Sequence, residues 1–238
     1  MNITVITCTG DRPEAFMLCE RFGARQTRKA NRWIVVDDGS APTECSLGQE
    51  VLRLPPMAGQ SLNRNLLAAL DICGPKDEAI VIMEDDDWYC EDYIATYVPL
   101  LENYALVGEC CTVYYHVGER RCHNIQNIRH ASLCATLFRF DLVRFFKAMC
   151  VDGSAFVDKR LWQRQGTPRG RRLVTAMPAK CVGIKGMPGR CGIGVGHSRD
   201  WITRRGLPDH DLAVLRKLIG QDADLYAKYY EPSDTPAR

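Results

Sequence analysis

The sequence predicts a layered α/β domain with a largely parallel sheet. Over the first hundred residues, short β-type runs alternate with longer segments whose apolar residues recur at helical spacing. One run, 79–83, is apolar throughout, as expected of a strand that is covered on both faces. It leads directly into four consecutive acids, Glu84-Asp85-Asp86-Asp87, so a polar site is expected at the carboxyl end of a central strand.

The elements of the first half are separated by short breaks rich in glycine and proline. Strands are predicted at 3–8, 33–36 and 51–54. A helix is predicted after the first strand, where apolar residues recur at helical spacing. These residues are Phe16, Leu18, Cys19 and Phe22. A second helix is predicted over 61–72 and ends before Gly74-Pro75.

The second half is expected to continue with longer connections. Its predicted elements are, in order, a helix after Glu91, strands at 105–117 and 132–140, and helices at 141–149 and 208–219. A polar turn rich in arginine and histidine separates the two strands. The last residues, 231–238, are expected to form a flexible tail.

Length and composition are those of one globular domain. The chain has 238 residues, of which 46% are hydrophobic and 25% charged, enough for one core with a smaller appendage. The sequence shows neither a secretory signal nor an apolar run long enough to span a bilayer, so we expect a cytoplasmic protein. The twelve cysteines include no CxxC pair, which argues against a zinc site and favours reduced thiols in the core.

The acidic run at 84–87 is the most informative feature of the sequence. Four adjacent carboxylates repel one another and raise some of their pKa values unless a cation neutralises them. Mg²⁺ or Mn²⁺ is the natural partner, because such ions bind one or two carboxylates together with the phosphates of a ligand. The alternative is a solvated acidic turn, but the place of the run at a strand end favours a metal site for a phosphorylated ligand.

Four short motifs follow one another along the first ninety residues. They are Thr7-Cys8-Thr9-Gly10-Asp11-Arg12-Pro13, Asp37-Asp38-Gly39-Ser40, Asn63-Arg64-Asn65 and Glu84-Asp85-Asp86-Asp87. In order and rough spacing they resemble the motifs of GT-A fold glycosyltransferases, especially the large inverting family two. The resemblance implies a Rossmann-like nucleotide-binding sheet with helices on both faces, plus a smaller acceptor-side region. It also implies a hexosyltransferase-type enzyme that takes a nucleotide-diphosphate sugar as donor and needs Mn²⁺ or Mg²⁺.

The resemblance divides the chain into two parts of one domain. Residues 1–104 would bind the nucleotide sugar, and residues 105–230 would bind the acceptor and carry the catalytic base. The residues implied in nucleotide-sugar binding lie at strand ends and at the start of a helix. They are Thr7, Thr9, Asp11, Arg12, Asp37, Asp38, Arg64, Glu84 and Asp85.

The resemblance implies a role for most of these side chains. The carboxylate of Asp37 or Asp38 would accept the imide hydrogen of the base, although this segment also fits a plain turn. Arg64 would face the diphosphate, although an arginine on a helix surface needs no such role. Glu84 and Asp85 would address the ribose and the sugar.

The metal ligands implied by the resemblance come from both parts of the chain. Asp86 would bind the metal, with Asp87 as the alternative if the register shifts by one residue. His197 would join them, because a C-terminal histidine binds the metal in several GT-A enzymes, and a structural histidine is the alternative. His197 ends the glycine-rich segment 183–197, which we expect to act as a lid over the bound nucleotide sugar.

An inverting transferase needs a general base that takes the proton of the acceptor hydroxyl. In the resembled family the base is an acid just before an apolar helix, and Asp158 fits this place in the segment 156–162. Val157 departs from the Glu-Asp pair that the family more often has there. Asp152 is the alternative base, and a helix N-cap is the structural alternative for either acid.

Basic residues are concentrated in the second part of the chain. Between Lys159 and Arg205, twelve basic residues stand against a single acid, Asp200. Three further arginines are Arg120, Arg121 and Arg129. We expect a polyanionic acceptor, in the first place DNA whose bases carry a hydroxymethyl group and flip out of the stack. The alternatives are a solvated basic face, an anionic glycan, a lipid-linked diphosphate or a neutral saccharide.

Two other classes of protein stay open. A nucleotidyltransferase shares a related architecture, but it would carry a glycine-rich Arg-Lys signature after its first strand, where this chain has Thr9-Gly10-Asp11-Arg12-Pro13. A non-catalytic module that binds a nucleotide sugar or a nucleic acid is disfavoured by the acidic run. Slow hydrolysis of a nucleotide sugar would separate a transferase from such a module.

Overall fold

The computed structural model describes residues 1–57, 59–151, 156–164, 166, 169–190, 192 and 194–231, without the side chain of Val195. The strands are β1 Ile3–Thr9, β2 Arg32–Asp37, β3 Glu50–Arg53, β4 Ala79–Ile82, β5 Trp88–Tyr89, β6 Leu106–Glu109, β7 Val113–His116, β8 Arg121–Asn124, β9 Thr136–Arg139, β10 Arg171–Val174, β11 Cys181–Lys185 and β12 Leu207–Pro208. The α-helices are α1 Pro13–Ala24, α2 Leu62–Asp71, α3 Tyr93–Tyr97, α4 Val143–Val151, α5 Val157–Gln163, α6 Arg199–Arg205 and α7 Ala213–Ile219. Segments of 3₁₀ helix are Val98–Glu102, Leu133–Ala135, Phe140–Leu142, Val195–His197 and Gly220–Tyr229. The alternative base Asp152 and the tail residues 232–238 lie outside the described residues.

A seven-stranded sheet forms the larger layer. Its strand order is β10-β6-β9-β4-β1-β2-β3, and the four strands β4, β1, β2 and β3 run parallel to one another. β9 is antiparallel to both of its neighbours, β4 and β6. The predicted α/β fold with a largely parallel sheet is therefore confirmed.

Helices cover both faces of this sheet, as the alternating side chains of β1 show. Thr7 faces α1, with its hydroxyl 4.0 Å from the Sγ of Cys19. Cys8 points to the opposite face and lines a cavity together with Leu66 of α2. α1 begins at Pro13. Proline suits the first position of a helix, because the N–H that it lacks has no hydrogen-bond partner within the helix there.

The pairing of β1 with β4 sets the position of the acidic run. Ile6 lies opposite Ile82, so the residues three positions further on, Thr9 and Asp85, meet beyond the carboxyl ends of both strands. Thr9 Oγ1 donates a hydrogen bond to Asp85 Oδ2 at 2.8 Å. This edge is where open α/β sheets bind their ligands.

A second, five-stranded sheet follows the acidic run, in the order β12-β8-β7-β11-β5. β5 pairs antiparallel with β11, and every residue of β11 is buried. The backbone N–H of Ile184 in β11 donates to Asp87 Oδ1 at 2.8 Å. The acidic run therefore joins the second sheet to the carboxyl edge of the first.

Several predicted boundaries in the second half are wrong. The segment 105–117 forms two strands in different sheets, because Cys111 has a left-handed φ of 58° and turns the chain between them. The segment 132–140 includes a 3₁₀ turn before its strand, and only the last part of 208–219 is α-helical. The first residues of the predicted lid, 183–197, belong to the buried strand β11.

The cysteines in the described residues behave as small side chains of the interior. Eleven of them are free thiols, and Cys19, Cys110, Cys134, Cys150 and Cys181 are buried. Within the same part of the chain, no helix has both the length and the apolar character needed to cross a bilayer.

Truncating the buried face of α1 should destabilise the domain. Phe22 is fully buried, and its ring centroid lies 6.5 Å from that of Trp88 in an edge-on contact. We expect Phe22→Ala to lower the free energy of unfolding by about 3–5 kcal/mol, because it removes contacts and leaves a cavity. Met17→Ala on the same helix should change it by less than about 0.5 kcal/mol, since Met17 is 55% exposed. Urea titration followed by circular dichroism measures both, and equal effects would contradict the packing.

Candidate active site

A cavity of about 130 Å³ lies at the carboxyl ends of β1 and β4. Its walls come from the end of β1, the start of α2, the end of β4 and the glycine-rich segment that follows β11. The titratable groups that line it are Arg12, Glu84, Asp85, Asp86, Arg190 and His197. Titratable side chains from three separate parts of the sequence therefore meet in this cavity.

Arg12 holds two acids of the run together. Its Nη1 donates to Asp85 Oδ1 and its Nη2 to Asp86 Oδ2, both at 2.8 Å. Burial raises the pKa of Asp85 to about 6, against the opposing charge of Arg12. Burial acts in the same direction on Asp86, but the charges of Arg12 and Lys185 hold the pKa of Asp86 below its ordinary value. Asp86 therefore stays ionised to a lower pH than Asp85.

A second cation, Lys185, lies within the acidic cluster. Its side chain is 8% exposed, and its Nζ is 2.9 Å from Asp87 Oδ1 and 3.8 Å from Asp86 Oδ2. Burial opposes its charge, but Asp86 and Asp87 raise the pKa of Lys185 above its ordinary value. Two cations thus face four carboxylates, and two negative charges stay uncompensated when all four are ionised. Lys185 belongs to the segment 183–197 that the sequence predicts as a lid, and no local pattern in the sequence indicates this role.

His197 and Asp86 form a pair of side chains that suits a metal ion. His197 Nε2 lies 3.7 Å from Asp86 Oδ2. Burial, together with the positive charge of Lys185, lowers the pKa of His197 to about 3, so its imidazole is neutral. Its Nδ1 is buried and finds no hydrogen-bond partner among the described residues. A neutral imidazole beside an ionised carboxylate fits a divalent cation such as Mn²⁺.

Asp87, the alternative metal ligand, does not line the cavity. It is fully buried, and its Oδ1 accepts from the backbone of β11 and from Lys185 Nζ. The ligand atoms of Glu84, Asp87 and Cys134 do lie within 4.8 Å of one another. Burial and the nearby charge of Asp87 raise the pKa of Glu84. The ammonium of Lys185 already supplies positive charge there, which gives Asp87 a structural role.

The last residue of β2, Asp37, and the acid that follows it, Asp38, are paired within the protein. Asp37 is fully buried and accepts from two backbone N–H groups of the following loop, at 2.8 and 2.6 Å. Asp38 accepts from Arg64 Nη2 at 2.9 Å and also contacts Arg190. Neither carboxylate, nor Arg64, lines the cavity. A nucleobase would therefore have to displace an arginine to reach Asp38.

Arg190 lines the cavity and ties the glycine-rich segment to Asp38 after the end of β2. Its contact with Asp38 passes beside Gly10, where a Cβ atom would lie 2.6 Å from each of the two side chains. Gly189 has a φ of 100°, and a Cβ atom there would lie 2.3 Å from the carbonyl oxygen of Asp11. Glycine at these two positions allows the backbone segments to approach each other.

Two other predicted residues lie beside the cavity without lining it. Thr7 is fully buried, and its hydroxyl accepts from Trp33 Nε1 at 3.0 Å. Asp11 is exposed, with a φ of 56°, and accepts from the N–H and the hydroxyl of Ser40 at 2.8 and 2.6 Å. Asp11 thereby fixes the turn that presents Arg12 to the acids.

Asp158, the predicted base, lies in the first turn of α5. Its charge is close enough to Glu84 to raise the pKa of that residue. Burial raises the pKa of Asp158 above its ordinary value, while a hydrogen bond from the backbone N–H of Lys159 and the charge of His130 act against this rise. The N-cap of α5 is Phe156 and Asp158 is the second residue of the helix, so the N-cap alternative is wrong for Asp158. Asp158 is instead an acid whose charge acts on Glu84 of the cluster.

The structure thus separates the predicted site residues into two groups. Those that line the cavity are Thr9, Arg12, Glu84, Asp85, Asp86 and His197. Those that support its walls or lie outside it are Thr7, Asp11, Asp37, Asp38, Arg64, Asp87 and Asp158.

No protein-family model matches the sequence, and a search of curated proteins gives no match either. Among solved structures, the chain is similar to S. aureus TarS 1–349 in complex with UDP, with 13% identity and a TM-score of 0.52 over 77% of this chain and 60% of that one. It is also similar to the mannosyltransferase PcManGT from Pyrobaculum calidifontis in complex with GDP-Man and Mn²⁺, with 15% identity and a TM-score of 0.55 over 97% of this chain and 69% of that one.

A third similar structure is 2-C-methyl-D-erythritol 4-phosphate cytidylyltransferase from Thermus thermophilus, with 17% identity and a TM-score of 0.51 over 76% of this chain and 92% of that one. These similarities confirm the predicted fold of GT-A type, a nucleotide-binding α/β sheet with helices on both faces. The chain spans 60% of the TarS 1–349 structure.

Removing the internal cation should tighten the binding of a divalent ion. Lys185→Met removes the ammonium that lies 3.8 Å from Asp86 Oδ2. We expect Mn²⁺ to bind about tenfold more tightly, because one positive charge no longer repels the ion. Lys180→Met is the control, since Lys180 pairs with Asp92, which lies outside the acidic run. Electron paramagnetic resonance of free Mn²⁺ measures both, and unchanged affinity in a folded Lys185→Met variant would contradict this electrostatic balance.

Proposed function

We propose that the protein transfers a sugar from a nucleoside diphosphate sugar to an acceptor hydroxyl, with inversion at the anomeric carbon and dependence on Mn²⁺ or Mg²⁺. The cavity at the carboxyl ends of β1 and β4 carries this proposal, because a guanidinium, an ionised carboxylate and a neutral imidazole meet there. A diphosphate and a divalent ion require such groups. The structures of PcManGT with GDP-Man and Mn²⁺ and of TarS with UDP support it.

Entry of the donor would require the glycine-rich segment to open. The cavity of about 130 Å³ is smaller than the roughly 300–1,000 Å³ of most ligand sites. Breaking the contact between Arg190 and Asp38 would widen its mouth. The freed Oδ1 of Asp38 would then accept the imide hydrogen of the base while Oδ2 stays paired with Arg64, and Arg190 would join Arg12 in facing the diphosphate.

The residues of the cavity would divide the tasks of donor binding. Asp86 and His197 would hold the divalent ion, which when bound neutralises charge on the leaving nucleoside diphosphate. Glu84 and Asp85 line the same cavity as hydrogen-bond acceptors and would contact hydroxyls of the ribose and the sugar. Arg12 would stabilise the same leaving group from the side of β1.

Asp158 would act as the general base. Its carboxylate would take the proton of the acceptor hydroxyl while the acceptor oxygen bonds to the anomeric carbon and the bond from that carbon to the diphosphate oxygen breaks. The raised pKa of Asp158 supports this role, because a base is most effective when its pKa approaches the operating pH. Attack from the side opposite the leaving group would invert the anomeric configuration.

The acceptor would be a polyanion, and DNA with hydroxymethylated bases is the candidate that we put to the test. Part of the basic run is used internally, since Lys180, Lys185, Arg190 and Arg199 pair with carboxylates. The exposed arginines of the run include Arg169, Arg171, Arg172, Arg204 and Arg205. Such a surface suits phosphates, which position nucleic acids on proteins. A saccharide or glycolipid precursor is the alternative acceptor.

A nucleotidyltransferase is the second candidate, because the chain covers 92% of the Thermus cytidylyltransferase structure. Such an enzyme would release pyrophosphate from a nucleoside triphosphate. The neutral His197 beside Asp86 and the half-buried acid at Asp158, whose pKa is raised, favour sugar transfer instead. A module that only binds would show neither reaction.

Nucleotide binding should depend on a divalent ion through Asp86. We expect nucleoside diphosphates with Mn²⁺ to stabilise the wild type, by about 2.7 kcal/mol at a hundredfold excess over the dissociation constant. Asp86→Asn should lose this stabilisation and all turnover, because Asp86 is the carboxylate with a lowered pKa that lies beside the neutral imidazole of His197. Asp200→Asn is the control, since Asp200 is an exposed acid on α6. Thermal shifts with a panel of diphosphates measure the effect. Wild-type activity of Asp86→Asn in the presence of a chelator would contradict it.

Turnover should depend on the base form of Asp158. We expect Asp158→Asn to lower kcat by roughly a hundredfold or more while donor affinity stays near that of the wild type. The base must be deprotonated and burial raises its pKa, so wild-type kcat should fall as the pH drops through a value above that of an ordinary aspartate. Initial rates between pH 4 and pH 8 give this profile. A product with retained anomeric configuration would refute the inverting mechanism.

Binding of duplex DNA should weaken steeply with salt if the exposed arginines hold phosphates. The slope of log affinity against log salt is about −0.9 for each phosphate that is contacted. Fluorescence anisotropy at two salt concentrations gives this slope, and hydroxymethylated and unmodified duplexes are then compared as acceptors. Salt-insensitive binding, or no sugar on the hydroxymethylated duplex, would leave a saccharide as the better acceptor.

A further inference from the structure

Two exposed arginines share a second cavity, of about 530 Å³. This arginine cavity is lined by Arg129, Trp162, Gln163, Arg171 and Leu173. Both arginines are exposed, and neither pairs with an acid among the described residues. Arg171 Nη1 donates to the carbonyl oxygen of Arg164 at 3.5 Å. By contrast, Arg12, Arg64 and Arg190 all pair with carboxylates.

The arginine cavity lies beside the acid that we assign as the base. Asp158 and Trp162 are four residues apart on α5, so they share one face of the helix, about 6 Å apart along its axis. Arg129 precedes His130, and the charge of Asp158 acts on the pKa of His130. Asp158 is close enough to His130 to act on its pKa, and Trp162 and Arg129 line the arginine cavity, so the acid and the cavity are adjacent.

Two guanidinium groups at one cavity repel each other, and an anion bound between them offsets this electrostatic repulsion. The planar fork of arginine matches the oxygens of a phosphate. Trp162 is fully buried, and its Nε1 already donates to Thr136 Oγ1 at 3.0 Å, so the indole gives the cavity a fixed wall.

We propose that the arginine cavity binds a phosphate group of the acceptor while the acceptor hydroxyl reaches Asp158. This inference rests on the proposed function and adds that the acceptor carries a phosphate within about one helical turn of the reacting hydroxyl, roughly 6 Å. The phosphate comes either from a nucleic-acid backbone or from a phosphorylated saccharide. Both present the same group to Arg129 and Arg171.

Binding of methyl phosphate tests the site directly. The donor site is first saturated with Mn²⁺ and the nucleoside diphosphate that gives the largest thermal shift, and methyl phosphate is then titrated. The Nε–Hε resonances of Arg129 and Arg171 should shift in the wild type, and the affinity should fall at least about tenfold in Arg129→Gln/Arg171→Gln. Arg172→Gln is the matched control, because Arg172 is exposed on the same strand but does not line the cavity. Equal binding in the double variant, or an equal loss in Arg172→Gln, overturns the proposal.

Acceptor kinetics then distinguish the sources of the phosphate. A hydroxymethylated duplex, a sugar phosphate and the same sugar without phosphate are compared in the wild type and the double variant. A loss of about tenfold in kcat/KM for the duplex identifies the nucleic-acid backbone, and the same loss for the sugar phosphate identifies a saccharide. Unchanged kcat/KM for every phosphorylated acceptor that reacts refutes the proposal. Failure of the proposed function looks different, because the wild type would then release no nucleoside diphosphate from any donor.

Discussion

The charge balance of the four carboxylates at the end of β4 is the constraint on which the site depends. Taking adjacent carboxylates out of water is costly unless cations accompany them. Arg12 reaches them from the end of β1, and Lys185 reaches them from β11 of the second sheet. These ion pairs therefore offset part of the charge of the cluster, and the pair between Lys185 and Asp87 also ties the second sheet to the first. Two negative charges are left when all four acids are ionised, which matches the charge of one divalent ion.

Neighbouring acids of the run have different structural roles because their hydrogen-bond partners differ. Asp85 binds Thr9 and Arg12, so it joins β4 to β1. Asp87 binds the backbone of β11 and Lys185 and does not line the cavity. Asp86 lines the cavity, keeps a low pKa and lies near a neutral imidazole. Substitution of Asp87 should therefore disturb the fold first, whereas substitution of Asp86 should disturb ligand binding first.

Local patterns in the sequence predicted the first half of the fold and the acidic cavity. β1, β2 and β4 are short apolar runs with polar ends, and periodicity detects such elements without knowledge of the tertiary structure. The partners of the acids could not be predicted in this way, because Lys185 is 98 residues away from Asp87 along the chain. The glycine-rich segment 183–197 predicted a lid, but its first residues, 183–185, belong to the buried strand β11. One left-handed residue, Cys111, was enough to divide a predicted strand between two sheets.

Product analysis on the wild type separates sugar transfer from the competing reaction. The protein is incubated in water with Mn²⁺ and a panel of nucleoside diphosphate sugars, and in parallel with nucleoside triphosphates and sugar phosphates, while phosphorus NMR follows the products. Sugar transfer predicts that a nucleoside diphosphate appears from one or a few donors, that it does not appear with a chelator, and that no pyrophosphate forms. Pyrophosphate released from a triphosphate, or no turnover of any donor, would contradict a sugar-transfer site built on Arg12, Asp86 and His197.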